Sequence, residues 1–181
     1  MAAGHTIVVS LLLSSTSSNT GVLNATDSAG NTYAIARDVN DGSGRDRTVL
    51  LIAFNVNALA SGNQIVVNFP SSKQIQASAD DFTGVSGLDT AAGASGTATA
   101  FSSGPTPVTS QSSELLIGVV AIEAGSSPTW ASGWRPLPTI ALSSNYLDTA
   151  YQTVATTGSF SASGNTSGTW MAAIVTLKTG P

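Results

Sequence analysis

The stretch Asp38–Asp46 concentrates oxygen-bearing side chains around two glycines, which could let the backbone wrap around a hard cation. The candidate ligands for calcium are Asp38, Asn40, Asp41 and Asp46. Calcium takes about six to eight oxygen ligands. The spacing departs from the EF-hand pattern, and Arg45 and Arg47 could neutralise the carboxylates within the chain. Two interpretations stay open: a calcium site, or a solvated hairpin loop without a cofactor.

Aromatic residues in and beside a proline-rich segment form a second candidate site. The predicted ligand-binding residues are Trp130, Trp134 and Tyr146. Exposed rings stack on sugar rings, and the abundant Ser, Thr, Asn and Gln side chains of this chain can hydrogen-bond sugar hydroxyls. A neutral polysaccharide is therefore the expected ligand. The alternative is that the tryptophans pack against a β-structure, which is the favoured interpretation for Trp170.

Arrangements typical of enzymes are weak in this sequence. A glycosidase needs two carboxylates held at a fixed separation across a cleft. The candidates are Asp80 or Asp81 with Glu114, Glu123 or Asp148, and nothing in their spacing brings a pair together. His5 is the only histidine, and no Gly-x-Ser-x-Gly motif occurs, so we expect His5 to be an exposed residue without a catalytic role. We predict a protein that is not an enzyme.

Lys178 suggests a different kind of chemistry. It alternates with Ile174 and Trp170 along a predicted strand, which places the three side chains on one side. A lysine pointing inward in a cysteine-free β-domain can crosslink to an Asn or Asp of a neighbouring strand with help from a nearby acid, expelling ammonia or water. The ordinary alternative is a solvated lysine, because lysine is rarely buried without a partner.

Composition limits the class of protein. The 181 residues, 18.1 kDa in mass, fit a single domain spanning 1–181. Ten acidic and six basic residues give a net charge of −4, which argues against a nucleic-acid partner. The absence of cysteine excludes disulfides and thiolate metal sites. Only 9% of residues are charged and 41% are apolar, so the chain has material for a core and a surface made of hydroxyls.

No apolar run approaches the roughly 20 residues that a membrane-spanning helix needs. The first residues, Met1–His5, lack the basic and apolar regions of a signal peptide. Because the composition is typical of extracellular proteins, we expect a secreted or surface-exposed chain that begins inside a longer precursor.

Short alternating or β-branched runs dominate the chain, and no window has helical periodicity. The predicted strands are 6–13, 22–27, 32–38, 47–56, 63–69, 73–82, 114–123, 146–157 and 169–178. Nine or ten strands with little or no helix predict a two-sheet antiparallel β-sandwich, of jelly-roll or immunoglobulin-like type. The runs 49–54 and 115–120 are apolar on both sides, which is typical of central strands.

The same patterns predict which residues face the interior. The predicted core is Ile7, Val9, Leu11, Leu51, Phe54, Ile65, Val67, Phe69, Leu116, Val119, Trp170, Ile174 and Leu177. Alternation along strand 73–82 predicts that Gln74, Gln76, Ser78 and Asp80 face water. The low-complexity segment 84–113 and the segment 124–144 are predicted to be irregular, the former running over the surface.

Strand and turn motifs carry a resemblance that covers most of the chain. They include Ala-Gly-His-Thr-Ile at 3–7, Asp-Ser-Ala-Gly-Asn-Thr-Tyr at 27–33, Asp-Phe-Thr-Gly-Val at 81–85, and the segments 114–119 and 170–178. These resemble a β-sandwich module of large bacterial surface and secreted proteins, found beside fibronectin type III or immunoglobulin-like repeats. The resemblance implies a β-sandwich and carries no catalytic motif.

In such modules one or two strands usually precede the Ala-Gly-x-Thr segment. Here the chain starts almost at that segment, which suggests a sheet edge without its partner strand. Unpaired edges recruit strands from neighbours, unless they are short, twisted or covered.

We therefore expect a non-catalytic extracellular or surface structural or adhesive module that associates with itself or with neighbouring modules through strand edges. The alternatives are a carbohydrate-binding module that uses loop aromatics and, less favoured, a glycan-active enzyme.

Overall fold

The computed structural model describes residues 1–16 and 23–180, which form fifteen β-strands and no helix. The strands are β1 (Thr6–Ser14), β2 (Asn24–Asp27), β3 (Ala34–Asn40), β4 (Arg47–Ala53), β5 (Ile65–Asn68), β6 (Gln74–Phe82), β7 (Val85–Gly96), β8 (Ala100–Ser102), β9 (Ser113–Glu123), β10 (Thr129–Trp130), β11 (Arg135–Pro136), β12 (Ile140–Leu142), β13 (Asn145–Ala155), β14 (Ser163–Asn165) and β15 (Thr169–Thr179). None of the described residues belongs to a helix with the length and hydropathy needed to span a membrane.

The all-β prediction is confirmed, and a strand lies in each of the nine predicted segments, although Val22 falls outside the described residues. The predicted number of nine or ten strands is wrong. The additional strands are β7 and five pieces of two or three residues each, namely β8, β10, β11, β12 and β14. Such short pieces contain too few residues to display a period of two, so no sequence pattern marks them.

The strands form antiparallel sheets of different sizes. A four-stranded sheet has the order β3-β4-β1-β6, and a six-stranded sheet has the order β11-β13-β9-β15-β7 with β12 also paired to β13. A three-stranded sheet, β10-β14-β8, and a two-stranded sheet, β2-β5, complete the set in the described part of the chain.

One hydrophobic cluster contains side chains from both larger sheets. It includes Val8, Leu12, Leu50 and Ile52 of the four-stranded sheet, and Ile117, Val119, Ala173 and Val175 of the six-stranded sheet. The strands of the two sheets contact each other in matching order: β3 contacts β7 and β15, β1 contacts β9 and β13, and β6 contacts β13 and β12. Burial of these apolar side chains is the main force that holds the two sheets together.

The central strands are also buried on their other faces. Ile7, Val9 and Leu11 of β1 pack with Ala25 of β2 and with Val67 of β5. On the six-stranded sheet, a second set of side chains packs under residues of the three-stranded sheet and its flanking loops; it includes Leu116, Val120, Ile122, Ala172 and Ile174. This double burial explains the apolar runs of β4 and β9, as predicted, and the burial of every residue of β1, Ser10 included, which was not predicted.

The prediction of an irregular surface course for 84–113 is wrong for two parts of the segment, β7 and β8, and Phe101 of β8 is only 1% exposed. Residues Val85–Gly96 form β7, which pairs with β15 along its length. Small residues are required there because neighbouring side chains come close. A Cβ atom added at Gly93 would lie 2.3 Å from Cγ2 of Val39, and one added at Gly96 would lie 2.7 Å from Cζ2 of Trp170. Close packing therefore selects the small residues of this strand.

The predicted orientation of β6 is reversed in the structure. Gln76 is buried, Gln74, Ser78 and Asp80 are half-buried, and the exposed side chains are Ile75, Ala77, Ala79 and Asp81. The polar side of β6 faces β13, where the Gln76 side-chain amide donates to the Asn145 carbonyl oxygen at 2.8 Å. The Asn145 side-chain amide in turn donates to Oε1 of Gln74 at 2.8 Å. These hydrogen bonds offset the cost of burying the amides.

The predicted core is largely confirmed. Nine of its members are buried, whereas Phe54, Ile65, Val67 and Phe69 are half-buried and pack at the margins of the clusters. Ile65 and Val67 belong to the short two-stranded sheet, which leaves its outer surface open to solvent.

Candidate functional sites

The proposed calcium segment is the hairpin loop between β3 and β4. Asp38 lies on β3 and accepts two hydrogen bonds from the Arg47 guanidinium, one of them from Nε at 3.2 Å. The Arg47 side chain is only 4% exposed, whereas the Asp38 side chain is 33% exposed, so the ion pair is open to water on the carboxylate side. The arginine thus neutralises one of the four candidate ligands.

The remaining candidate ligands organise the backbone. Asn40 Oδ1 accepts the Gly42 amide at 3.0 Å, and Asp46 Oδ1 accepts the Ser15 amide at 2.7 Å. Asp41 accepts the Ser43 amide at 3.1 Å and the Ser43 hydroxyl at 2.5 Å. Burial alone would raise the pKa of Asp41, but these hydrogen bonds and others from the loop backbone lower it overall.

Residues 1–16 and 23–180 contain no group of three or more His, Cys, Asp or Glu side chains arranged to hold a metal ion. Glu123 lies near the loop, and burial, with the charges of Asp46 and Asp41 adding to it, raises its pKa. Calcium binding stays a prediction, and the hairpin loop itself is confirmed.

The three predicted aromatic residues lie on one face of the six-stranded sheet. Trp130 on β10 and Trp134 in the following loop are half-buried, with ring centroids 5.3 Å apart and planes tilted by 39°. Phe101 packs edge-on against Trp130, with centroids 5.3 Å apart. Tyr146 on β13 is half-buried against the same cluster as Trp130. We call Trp130, Trp134 and Tyr146 the aromatic face.

Gly118 of β9 lets the indole rings approach the sheet. A Cβ atom there would lie 2.9 Å from Cζ3 of Trp130 and 3.0 Å from Cζ3 of Trp134. The two rings therefore rest on backbone, and each presents only part of its surface to solvent.

Asp148 anchors the aromatic face from β13. It is 2% exposed and accepts a hydrogen bond from Nε1 of Trp130 at 2.6 Å and another from the Thr139 hydroxyl. Burial raises the pKa of Asp148, and the two hydrogen bonds oppose that shift. The one polar side-chain atom of Trp130, Nε1, is therefore hydrogen-bonded within the protein. Trp170 is 7% exposed and donates from Nε1 to the Ala98 carbonyl oxygen at 2.9 Å, which confirms its assignment to the core.

The carboxylates considered for a glycosidase have separate sets of partners. Asp80 accepts the Ser78 hydroxyl at 3.1 Å, and Asp81 lies 3.1 Å from Nδ1 of His5. The prediction that His5 is exposed is therefore wrong, because its contact with Asp81 leaves the side chain half-buried. Glu114 lies beside Asp89 and Lys178.

Asp89 is the residue of chemical interest that sequence reasoning missed. A signal was present: it is the sole ionisable residue between Gly84 and Ser113, a segment otherwise made of small, polar and apolar residues. Because aspartate is rarely buried without a partner, a single aspartate in such a segment suggests an ion pair, and Asp89 pairs with Lys178.

The chain matches no protein-family model, no curated protein and no solved structure at a significant level.

Proposed function

We propose that this chain is a non-catalytic β-sandwich module of an extracellular or surface-exposed protein, with a structural or adhesive role. The hydrophobic cluster shared by the two larger sheets supports the sandwich arrangement. The sparse charge and abundant hydroxyls support an extracellular surface role. The module associates with a second copy of itself through β6.

The observation that carries this proposal is the edge position of β6. Among the described residues β6 pairs only with β1, so the other side of a nine-residue strand has no strand partner. Its outward side chains are Ile75, Ala77, Ala79 and, at its far end, Asp81, with Ile75 38% exposed. A long edge strand with small and apolar outward residues is a template for adding another strand.

The charges of β6 favour an antiparallel pair of identical strands. Residues 74–79 carry no charge, and Asp80 and Asp81 lie together near one end. A two-fold axis near Ala77 would place these aspartates at opposite ends of the paired strands, which avoids direct repulsion between them.

The test is concentration-dependent association of the full chain, measured by sedimentation equilibrium. We expect the wild-type protein to form dimers and Ala77→Lys to remain monomeric, because an edge lysine opposes strand pairing. Val108→Lys adds the same charge at a side chain that is 69% exposed and lies outside β6, so it serves as the matched control and should dimerise. A wild-type protein that is monomeric at every concentration contradicts the proposal.

A second candidate function, binding of a neutral polysaccharide, is favoured by the clustering of the aromatic face on one sheet surface. Trp134→Ala should then abolish retention on an insoluble neutral glucan while leaving the folded fraction unchanged. Equal retention of wild type and variant would remove this candidate.

A further inference from the structure

Three ionisable side chains meet on adjacent strands of the six-stranded sheet. Nζ of Lys178 on β15 lies 3.5 Å from Oδ1 of Asp89 on β7. On the other side of β15, Glu114 of β9 is the direct cross-strand partner of Lys178. Directly paired residues of antiparallel strands project to the same face of a sheet. The lysine therefore lies between two acidic residues.

A β-bulge brings Asp89 to the lysine. Thr176 pairs with Thr90 and Leu177 pairs with Leu88, so Asp89 is the extra residue of β7 and has no partner on β15. Bulges redirect side chains that regular alternation would send to the other face. The direct partner of Lys178 on β7 is Gly87, where an added Cβ atom would meet nothing within 4 Å. The space beside the lysine is thus open to the Asp89 carboxyl.

The two acids are shielded from water. Glu114 is 1% exposed, and neither of its carboxyl oxygens has a hydrogen-bond partner within the described chain. The Asp89 side chain is 6% exposed. The Lys178 side chain is 37% exposed and so lies nearer to solvent than the two acids. Glu114 instead faces the Asp89 carboxyl group, and two buried acids side by side are costly and rare, which points to a role other than stability.

The surroundings of Asp89 hold its carboxyl group in place. The Ser110 amide donates to Oδ2 and the Ser110 hydroxyl donates to Oδ1, each at 2.6 Å. Donors fixed on both oxygens would stabilise the negative charge that develops when a nucleophile adds to the carboxyl carbon. Burial, followed by the charge of Asp89, raises the pKa of Glu114 to about 7, although Lys178 acts in the opposite direction. A group with that pKa can accept and release a proton near neutral pH.

We propose that Lys178 and Asp89 react to form an intramolecular amide bond, with Glu114 as the acid-base group. Glu114 takes a proton from the Lys178 ammonium, and the freed nitrogen lone pair adds to Cγ of Asp89. The C–N bond forms, and Glu114 passes its proton to one carboxyl oxygen of Asp89. Glu114 then carries a second proton from the nitrogen to the same oxygen, whose C–O bond breaks so that it leaves as water. An ammonium and a carboxylate become an amide and one water molecule, with no oxidant or other reactant.

The amide would tie the edge strand β7 covalently to β15. It is independent of association through β6, because β6 belongs to the other large sheet. A module could form the bond and remain monomeric, or dimerise without it, so the two proposals fail separately.

The test is the intact mass of the purified full chain, measured under denaturing conditions. We expect the wild-type mass to be lower than the sequence mass by one water molecule. Digestion with a glutamyl endopeptidase, which cleaves after the chain's two glutamates, should leave fragments 1–114 and 124–181 joined. Lys178→Arg keeps the positive charge but cannot form this amide, so it should have the full mass and release separate fragments.

Two further variants assign the roles. Glu114→Gln preserves shape but cannot exchange the proton, and should leave the protein uncrosslinked. Lys73→Arg, at an exposed lysine just before β6, should crosslink like the wild type. A wild-type protein of full mass with separate fragments overturns the proposal. So does a water loss that persists in Lys178→Arg, which would arise instead from cyclisation at Asp41-Gly42. Crosslinking in Glu114→Gln would overturn the role of Glu114.

Discussion

Replacing Gly118 by alanine tests whether the aromatic face packs on the six-stranded sheet. The new Cβ atom would lie 2.9 Å from Cβ of Ala162, 2.9 Å from Cζ3 of Trp130 and 3.0 Å from Cζ3 of Trp134. Carbon atoms attract best at about 3.5–4.0 Å, so all three neighbours must move away. The substitution therefore strains the packing of both tryptophans at once.

The size of the effect follows from two opposing contributions. Overpacking a filled interior costs about 1–3 kcal/mol. Alanine also restricts the unfolded chain relative to glycine, which favours folding by about 0.4–1 kcal/mol. We expect Gly118→Ala to lower the free energy of unfolding by about 1–2 kcal/mol.

Urea unfolding followed by tryptophan fluorescence measures this loss. The matched control is Gly87→Ala, another strand glycine, where an added Cβ atom meets nothing within 4 Å. It should change stability by less than about 0.5 kcal/mol or raise it slightly. Combining Gly118→Ala with Ala162→Gly removes one of the three close contacts, so the double variant should recover part of the loss.

Unchanged stability of Gly118→Ala would refute the reasoning, because it would mean that the indole rings do not rest on β9. The reasoning would also be refuted if the double variant lost as much stability as Gly118→Ala alone and the fluorescence maximum of Gly118→Ala equalled that of the wild type. In either case the tryptophans would be free to act mainly as ligand contacts.

Three further predictions concern the charged groups. Tyr33→Phe removes a 2.9 Å hydrogen bond to Asp27 and should cost about 1.5–3 kcal/mol, measured by urea unfolding. Burial alone would raise the pKa of Asp27, but hydrogen bonds lower it below 3.8, so stability is lost as pH falls through that lowered value. Acid unfolding of the variant should then begin at higher pH. Burial raises the pKa of Asp148 above 3.8, so wild-type stability falls as pH rises through the folded-state value. Asp148→Asn should lack that fall in stability. Urea unfolding of both proteins at a series of pH values measures it, and the same pH dependence in wild type and variant would contradict the prediction. Because the oxygens of Asp38–Asp46 accept hydrogen bonds within the protein, a chelator should leave the melting temperature unchanged, whereas a large drop would support a bound cation.

Much of the fold could be predicted from local pattern alone. Alternation located nine strands, and the apolar runs of β4 and β9 indicated burial on both faces, as found. The loop between β3 and β4 was also identifiable, because polar residues and glycines interrupt two apolar segments there. These features depend on residues close in sequence, whose spacing reflects the repeat of a strand.

The candidate sites were less predictable. The sequence marked Trp130, Trp134 and Tyr146, but their engagement with Gly118 and Asp148 depends on contacts between distant segments. The sequence identified Lys178 as a candidate but did not identify Asp89 as its partner, because the small residues around Asp89 show no pattern that predicts a strand.

The sequence by itself determined that this chain forms strands, carries little charge and lacks thiol chemistry. Only the tertiary structure decided which face of β6 is buried, since an amide network with Asn145 outweighs the preference of isoleucine for the interior. It also decided that a bulge in β7 turns Asp89 toward Lys178, beside a buried Glu114. Strand periodicity is local, whereas register, bulges and the choice of face depend on the neighbouring strands.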